Sequence, residues 1–159
     1  MEAAYIFAKL SYAERRKVGC VIVKNKQVIS IGYNGTPHGF ENSCEETLVE
    51  TLNYENPDHA MHLVEEHGYV CDNGVCTKET QVTKPEVLHA ESNAIMKVAK
   101  STMNCEGAEL YTTTCPCFGC AKLIVQSGIS KVYYTEDYRS MDGVTLLEKA
   151  GVVVEQLFL

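Results

Sequence analysis

The sequence of 159 residues lacks any long hydrophobic run, and this absence argues against a membrane-spanning helix. No apolar stretch approaches the roughly 18 residues that such a helix requires. The first ten residues contain neither the basic segment nor the apolar segment of a secretory signal peptide. We therefore expect neither export nor a membrane partner.

Basic residues are also scarce. Lysine and arginine number 14 against 21 aspartates and glutamates, which gives a formal net charge of −7. A protein that binds a polynucleotide usually has a basic surface patch that neutralises the phosphates. The only compact basic cluster here is Arg15-Arg16-Lys17, which could meet one monophosphate but is too small to follow a strand. A small-molecule partner is expected instead of a nucleic acid.

Repeats and low-complexity segments are absent, and the length suits a single domain, residues 1–159, around one core. Cysteine, in contrast, is abundant, with eight residues, so a secreted disulfide scaffold has to be considered. Three of these cysteines, Cys115, Cys117 and Cys120, crowd within about one turn, and no export signal accompanies them. We expect a reduced cytoplasmic compartment, which is the host cytoplasm if the chain is viral.

The most informative pattern is His89-Ala90-Glu91 followed by Pro116-Cys117-x-x-Cys120. One imidazole and two thiolates supply three zinc ligands, which is the number that leaves a fourth position open for water. Zinc lowers the pKa of such a water from about 15.7 towards 7. Glu91 would then move protons between that water and a substrate without binding the metal. A carboxylate this close to a cation is expected to be ionised in the resting protein.

Two other interpretations of this pattern remain. A closed structural zinc site would need a fourth protein ligand, for which Cys115 is the obvious candidate, but it gives no reason for Glu91. A redox Cys-x-x-Cys pair gives no reason for His89. The catalytic interpretation further requires that the helices beginning near His89 and near Cys117 meet at their N-termini.

Hydrophobic periodicity predicts an α/β fold with three layers, α/β/α. Helices are predicted over 2–13, 89–103, Phe118–Gln126 and 144–149, and strands over 18–23, Gln27–Tyr33, 108–113, 131–135 and 152–158. The first two strands form a hairpin, and strands separated by a helix usually run parallel. The prediction is a five-stranded mixed sheet whose last three strands are parallel and joined by right-handed crossovers.

The segment from about 40 to 85 has the weakest secondary-structure pattern, and we interpret it as an elaboration of the single domain. Short helices are predicted near 45–52 and 57–66, and a loop over 71–85.

With these residues in place, the chain resembles the deoxycytidylate (dCMP) deaminases of the zinc-dependent cytidine deaminase superfamily, of the virus-encoded type. The resemblance covers the chain except for about 40–85. It rests on these motifs: Val18-Gly19-x-Val21-Ile22-Val23, Gly32-Tyr33-Asn34-Gly35-x-Pro37-x-Gly39, His89-Ala90-Glu91-x-Asn93-Ala94-Ile95, Pro116-Cys117-x-x-Cys120-Ala121-Lys122, Gln126-Ser127-Gly128-Ile129 and Glu136-Asp137-Tyr138.

The resemblance implies a cytidine-deaminase-like fold and hydrolysis of dCMP to dUMP, a step that supplies dTTP synthesis. It implies catalytic Zn²⁺ on His89, Cys117 and Cys120, with Glu91 as proton shuttle. It also implies a substrate site that includes Asn34, Ala90 and Tyr138, with Lys17 or Arg16 at the 5′-phosphate.

Family members are commonly homohexamers that dCTP activates and dTTP inhibits, with Mg²⁺ on the triphosphate. The resemblance places this regulatory site near Tyr33 and Gly35. Some virus-encoded relatives have a second, structural zinc, but Ala13 stands at the position of its first ligand here. Cys44 lies near the second, and a different site could draw on His59, His62, His67, Cys71 and Cys76.

Other functions remain open beside this one. A tRNA adenosine deaminase shares the zinc motifs but would need a basic face, and a dCTP-accepting deaminase differs only in substrate. A riboflavin-pathway deaminase would normally carry a reductase domain. A free cytidine deaminase usually lacks a helix equivalent to 144–149, and an inactive zinc-binding module would not require Glu91.

Overall fold

A computed structural model describes residues 1–158 of the chain. Its helices are α1 (Glu2–Ala8), α2 (Pro57–His67), α3 (Ala90–Ala99), α4 (Phe118–Gln126) and α5 (Asp142–Lys149). Its strands are β1 (Gly19–Lys24), β2 (Gln27–Tyr33), β3 (Glu45–Asn53), β4 (Val70–Asp72), β5 (Val75–Thr83), β6 (Glu109–Thr114), β7 (Lys131–Glu136) and β8 (Val153–Gln156). These elements form two compact units, one comprising 1–44 with 85–158 and the other 45–84.

The larger unit contains a mixed sheet of five strands in the order β2-β1-β6-β7-β8. Strand β1 pairs antiparallel with both β2 and β6, whereas β6, β7 and β8 run parallel. Helices α4 and α5 connect the parallel strands, as the alternation of patterns predicted. The predicted five-stranded sheet with parallel last strands is confirmed.

Two glycines show that helices cover both faces of this sheet. A Cβ atom at Gly19 would lie 1.9 Å from the Ala4 carbonyl oxygen of α1, and one at Gly32 would lie 2.0 Å from the Ala90 carbonyl oxygen of α3. Gly32 pairs with Cys20, the residue after Gly19, so the two glycines face opposite sides of the sheet. The result is the predicted three-layer architecture.

The core of this unit lies on the α3 side of the sheet. Small and branched side chains of α3 and α4 pack there against Ile22, Leu110 and Val132, all fully buried, and Leu147 of α5 joins them. Ala90, Ala94 and Ala121 are completely buried, and their small side chains let α3 and α4 pack closely against the strands.

Several predicted boundaries differ from the observed ones. Helix α1 ends at Ala8 instead of residue 13, because Ser11 leaves the helix and its hydroxyl donates to the Asn34 carbonyl oxygen at 2.7 Å. Helix α3 ends at Ala99 instead of 103. Helix α4 has the predicted bounds.

The smaller unit corrects two predictions. Residues Glu45–Asn53 form a strand instead of a helix, because their alternating Thr47, Val49 and Thr51 pair along all of β5. The predicted loop over 71–85 contains β5 and the last two residues of β4, and these strands are joined at Asn73-Gly74, where the φ values are positive, 47° and 87°.

The predicted helix near 57–66 is confirmed as α2, which Asn56 caps and Gly68 ends in the left-handed conformation. A small core forms around Leu63, Tyr69 and Cys76, and a disulfide joins Cys76 to Cys71. No helix in the described part of the chain combines the length and apolar character needed to cross a membrane.

Candidate active site

His89 and Cys117 occupy equivalent places, each being the N-cap residue of the helix that follows. The His89 Nδ1 atom lies 3.4 Å from Cys117 Sγ and 3.5 Å from Cys120 Sγ. The three potential ligand atoms all lie within 4.8 Å of one another. The requirement that these two helices meet at their N-termini is therefore fulfilled.

The geometry of this cluster fits tetrahedral zinc. With a Zn–N distance of about 2.05 Å and Zn–S of about 2.3 Å, tetrahedral angles place nitrogen and sulfur about 3.6 Å apart. The observed nitrogen–sulfur distances of 3.4 and 3.5 Å agree with this value. One imidazole and two sulfurs are also a donor set that zinc favours over magnesium or calcium.

The helix start also favours negative charge on sulfur. The Cys120 backbone N–H donates to Cys117 Sγ at 3.4 Å, at the N-terminus of α4. Contacts with Cys120 and His89 lower the pKa of Cys117 to about 3. The same contact with Cys117, together with burial, raises the pKa of Cys120. Protein atoms alone thus favour a thiolate at Cys117 but not at Cys120. A divalent cation would allow Cys120 to lose its proton as well.

Glu91 lies beside the cluster and is almost completely buried, with 3% of its surface exposed. Burial raises its pKa to about 7, while His89 opposes this shift and Cys120 contacts the carboxylate. Protein atoms alone leave Glu91 only partly ionised at neutral pH, so its expected full ionisation depends on a nearby cation. A carboxyl group with a pKa near neutrality can both accept and release a proton.

Cys115 does not join the cluster, which among residues 1–158 contains only His89, Cys117 and Cys120. The Cys115 thiol is buried and points to the Pro116 carbonyl oxygen at 3.8 Å, and burial raises its pKa to about 11. This arrangement gives no support to a closed four-ligand site. His89 is exposed, so the cluster is open to solvent.

A close backbone contact positions the loop that contains Cys117. A Cβ atom at Gly143, in the first turn of α5, would lie 2.0 Å from the Pro116 carbonyl oxygen and 3.0 Å from the Cys117 carbonyl carbon. Helix α5 therefore rests directly on this loop, and only glycine permits the approach. Gly32 likewise permits the close approach of α3, because a Cβ atom there would meet the Ala90 carbonyl oxygen.

The predicted residue Asn34 is engaged with the backbone. Its Nδ2 donates to the Arg16 carbonyl oxygen and its Oδ1 accepts from the Val18 N–H, both at 2.8 Å. These bonds tie the end of β2 to the segment before β1. Ala90 is completely buried at the start of α3, and Lys17 is exposed.

The region predicted for a regulatory nucleotide lies against α3. The Lys97 ammonium is 5.2 Å from the centre of the Tyr33 ring, and Gly35 pairs with Leu88, directly before His89. The Tyr33 carbonyl oxygen accepts from Asn93 Nδ2 at 2.8 Å.

Tyr138 belongs to the segment between β7 and α5, which also reaches the site. A backbone contact from Tyr138 opposes the rise in the pKa of Cys115, and the Arg139 guanidinium lies 5.4 Å from the centre of the Tyr138 ring. Arg16 is already paired with Glu136, at 2.6 Å, and also donates to the Asp137 carbonyl oxygen.

The structure does not assemble the second metal site considered for 45–84. Within the described residues no further cluster of His, Cys, Asp or Glu has metal-binding geometry. Cys71 and Cys76 are joined in a disulfide, and His62 and His67 contact each other edge to face.

Sequence reasoning did not identify Arg139, Gly143 or Thr114 as relevant to the site. Thr114 ends β6 directly before Cys115, and its buried hydroxyl lacks a hydrogen-bond partner within residues 1–158. A single arginine, glycine or threonine has no distinctive sequence pattern, so only the spatial arrangement could reveal these positions.

A mixed α/β sheet that presents two sulfurs, one imidazole and a buried glutamate at adjoining helix N-termini defines a zinc-dependent hydrolytic deaminase. The comparisons agree with this class. Residues 1–136 match the family model described as the cytidine and deoxycytidylate deaminase zinc-binding region, and the chain belongs to this family.

Similar proteins include deoxycytidylate deaminases from several sources. The enzyme of Enterobacteria phage T4 is 38% identical over 97% of this chain and 86% of its own length. The Saccharomyces cerevisiae enzyme is 33% identical over 98% of this chain but only 43% of its own length. The crystal structure of the cyanophage S-TIM5 dCMP deaminase, in complex with dCMP and dUMP, has 37% identity and a TM-score of 0.74, covering 98% of this chain and 92% of that one.

Proposed function

We propose that this protein hydrolyses dCMP to dUMP and ammonia with one catalytic zinc ion. The observation that supports this most is the cluster of His89, Cys117 and Cys120 with nearly buried Glu91 beside it. The substrate is inferred from the similarity to phage enzymes named for dCMP, one of them determined with dCMP and dUMP. The acidic net charge of −7 favours a small nucleotide over tRNA.

Zinc held by His89, Cys117 and Cys120 would make a water molecule acidic enough to attack C4 of cytosine at neutral pH. Glu91 would accept a proton from the attacking water and deliver it to N3 of the ring. Glu91 would then take the remaining proton of the added hydroxyl group and deliver it to the amino group, so that the C4–N bond breaks, ammonia leaves and the C4 carbonyl of uracil forms. Burial of Glu91 keeps these transfers away from bulk solvent.

We assign the substrate-binding residues as follows. Asn34 and Tyr138 contact the sugar and the nucleotide edge, and the backbone of Ala90 contacts the base. The engaged amide of Asn34 keeps one hydrogen and one lone pair for a sugar hydroxyl. Lys17, which is exposed, is one candidate for the 5′-phosphate.

The test is ammonia release by purified protein from dCMP, dCTP, deoxycytidine and an adenosine-containing tRNA loop. We expect turnover of dCMP and one zinc per chain. Turnover of the tRNA loop alone would overturn the proposal, and a preference for dCTP would change the substrate but not the chemistry.

We also propose regulation by dCTP as activator and dTTP as inhibitor, each with Mg²⁺, in a homohexamer. Tyr33 and Gly35 would contribute to the effector site, and the Lys97 ammonium over the Tyr33 ring offers a cation there. The test measures dCMP turnover with each triphosphate and the molar mass in solution. Unchanged rates with both triphosphates would refute the regulation.

A further inference from the structure

The end of β2 runs beside the start of α3, the helix that contains Glu91. A Cβ atom at Gly32 would meet an α3 carbonyl oxygen at 2.0 Å, and Gly35 and Leu88 exchange two backbone hydrogen bonds of 3.1 and 2.9 Å. Asn34, the proposed sugar contact, lies between these two points. Its position relative to Glu91 therefore depends on how β2 is tied to α3.

Asn93 provides a side-chain link between the two elements at this point. The residue is partly buried, and its Nδ2 atom donates to the Tyr33 carbonyl oxygen at 2.8 Å. That carbonyl belongs to the peptide group that joins Tyr33 to Asn34, and the N–H of the same group donates to the Val18 carbonyl oxygen at 3.2 Å. Because a peptide group is planar, bonds at both of its polar atoms restrict its orientation, and with it the direction in which the Asn34 side chain leaves the backbone.

Other contacts of Asn34 come from segments that contain none of the proposed catalytic residues. Its side chain bonds the Arg16 carbonyl oxygen and the Val18 N–H, and its own carbonyl oxygen accepts from the Ser11 hydroxyl at 2.7 Å. These bonds hold Asn34 to the segments before β1. Asn93 connects the same stretch of backbone to α3, the element that places the proposed proton shuttle.

We propose that Asn93 is a positioning residue that sets the separation between Asn34 and Glu91 for the sugar of the substrate. This inference rests on the proposed deamination of dCMP. The 3′-hydroxyl is the only free hydroxyl of a deoxynucleoside 5′-phosphate, so it is the group that the remaining hydrogen and lone pair of the Asn34 amide would meet. With the sugar bound at β2 and the shuttle on α3, a small shift between these elements would misplace the base relative to Glu91.

The experiment compares Asn93→Ala with the wild type on dCMP and on 2′,3′-dideoxycytidine monophosphate, which lacks the 3′-hydroxyl. We expect Asn93→Ala to reduce kcat/KM for dCMP roughly 3- to 10-fold, the scale of one neutral hydrogen bond. The value for the dideoxynucleotide should change less than about twofold. Asn93→Gln keeps an amide donor and should recover part of the loss. If turnover of the dideoxynucleotide is immeasurable, inhibition by dUMP is compared with inhibition by dideoxyuridine monophosphate, and only dUMP should weaken.

A double-mutant cycle with Asn34→Ala tests whether Asn93 acts through Asn34. Asn34→Ala should lose at least as much kcat/KM on dCMP as Asn93→Ala does. The combined variant should match Asn34→Ala within about twofold, because the contact that Asn93 positions is already absent. Losses that multiply in the combined variant would show that Asn93 acts by another route and would overturn the proposal.

Ser30→Ala is the matched control, because the Ser30 hydroxyl also links β2 to α3 and donates to the Ala94 carbonyl oxygen at 2.8 Å. This bond lies before the end of β2, so its loss should lower the midpoint of thermal unfolding without distinguishing the two nucleotides. Zinc content should match the wild type in every variant.

An equal loss on both nucleotides in Asn93→Ala, or a dCMP-specific loss of the same size in Ser30→Ala, overturns the proposal. A wild type that uses both nucleotides equally well refutes the sugar contact of Asn34 and the positioning role with it. A wild type inactive on dCMP refutes the proposed function itself.

Discussion

Cys117 Sγ lies 3.4 Å from Nδ1 of His89, although the two residues are 28 positions apart in the chain. Each is the N-cap of its helix, so the contact fixes the two helix starts relative to one another. This contact brings together the residues of the proposed metal site.

Replacing Cys117 by serine should abolish stoichiometric zinc binding, because it removes one of only three ligands. Metal analysis of the purified variant should show far less than one zinc per chain. Cys115→Ser is the control and should keep the metal, since Cys115 stands outside the cluster. Loss of zinc from a folded Cys115→Ser protein would show a fourth ligand and would contradict an open site.

Glu91→Gln should keep zinc but lower kcat for dCMP by about 10²- to 10⁴-fold or more, since the amide cannot transfer protons. Steady-state kinetics and metal analysis are the measurements. The same substitution at exposed Glu2 in α1 should have no effect. A near-normal rate in Glu91→Gln would exclude the shuttle role.

Gly143→Ala should impair the site from a distance. A methyl group there would meet the Pro116 carbonyl oxygen at 2.0 Å, so the Cys117 loop or α5 must move. Overpacking of this kind costs about 1–3 kcal/mol, although alanine normally favours a helix. The midpoint temperature of thermal unfolding and the affinity for zinc should both decrease.

The control for Gly143→Ala is Gly119→Ala in α4. A Cβ there meets only Cys117 Sγ at 3.8 Å, an ordinary contact. This variant should be as stable as the wild type or more stable. Equal behaviour of the two alanine variants would show that the Gly143 contact does not constrain the loop.

Thr114→Val should leave the midpoint of thermal unfolding unchanged or raise it. The Thr114 hydroxyl is buried and unpaired within the described residues, so removing it relieves a desolvation penalty. Thr112→Val should lower the midpoint instead, because the Thr112 hydroxyl donates to the Thr114 carbonyl oxygen at 3.1 Å. The expected loss in the free energy of unfolding is about 1 kcal/mol. Calorimetry compares the two, and a larger loss in Thr114→Val would reveal a partner for its hydroxyl.

The hydrophobic periodicity and the turn residues of the sequence predicted the helices and strands of the larger unit well. Helix α4 has the predicted bounds, because apolar spacing and the Ser127-Gly128 end mark both limits clearly. Strand β3 was predicted as a helix, since Leu48 and Leu52 also have helical spacing. The same segment also has the alternating pattern of a strand, and pairing with β5 favours the strand over the helix. That pairing depends on residues about 30 positions away.

The sequence by itself was enough to propose the three zinc ligands and the glutamate beside them, because metal chemistry restricts which side chains can serve and at what spacing. It also determined the order of strands and helices in the larger unit. Only the tertiary structure decided that Cys115 stays outside the cluster and that Gly143 supports the Cys117 loop. These features depend on distances between segments far apart in the chain, and such distances arise only when the helices pack on the sheet.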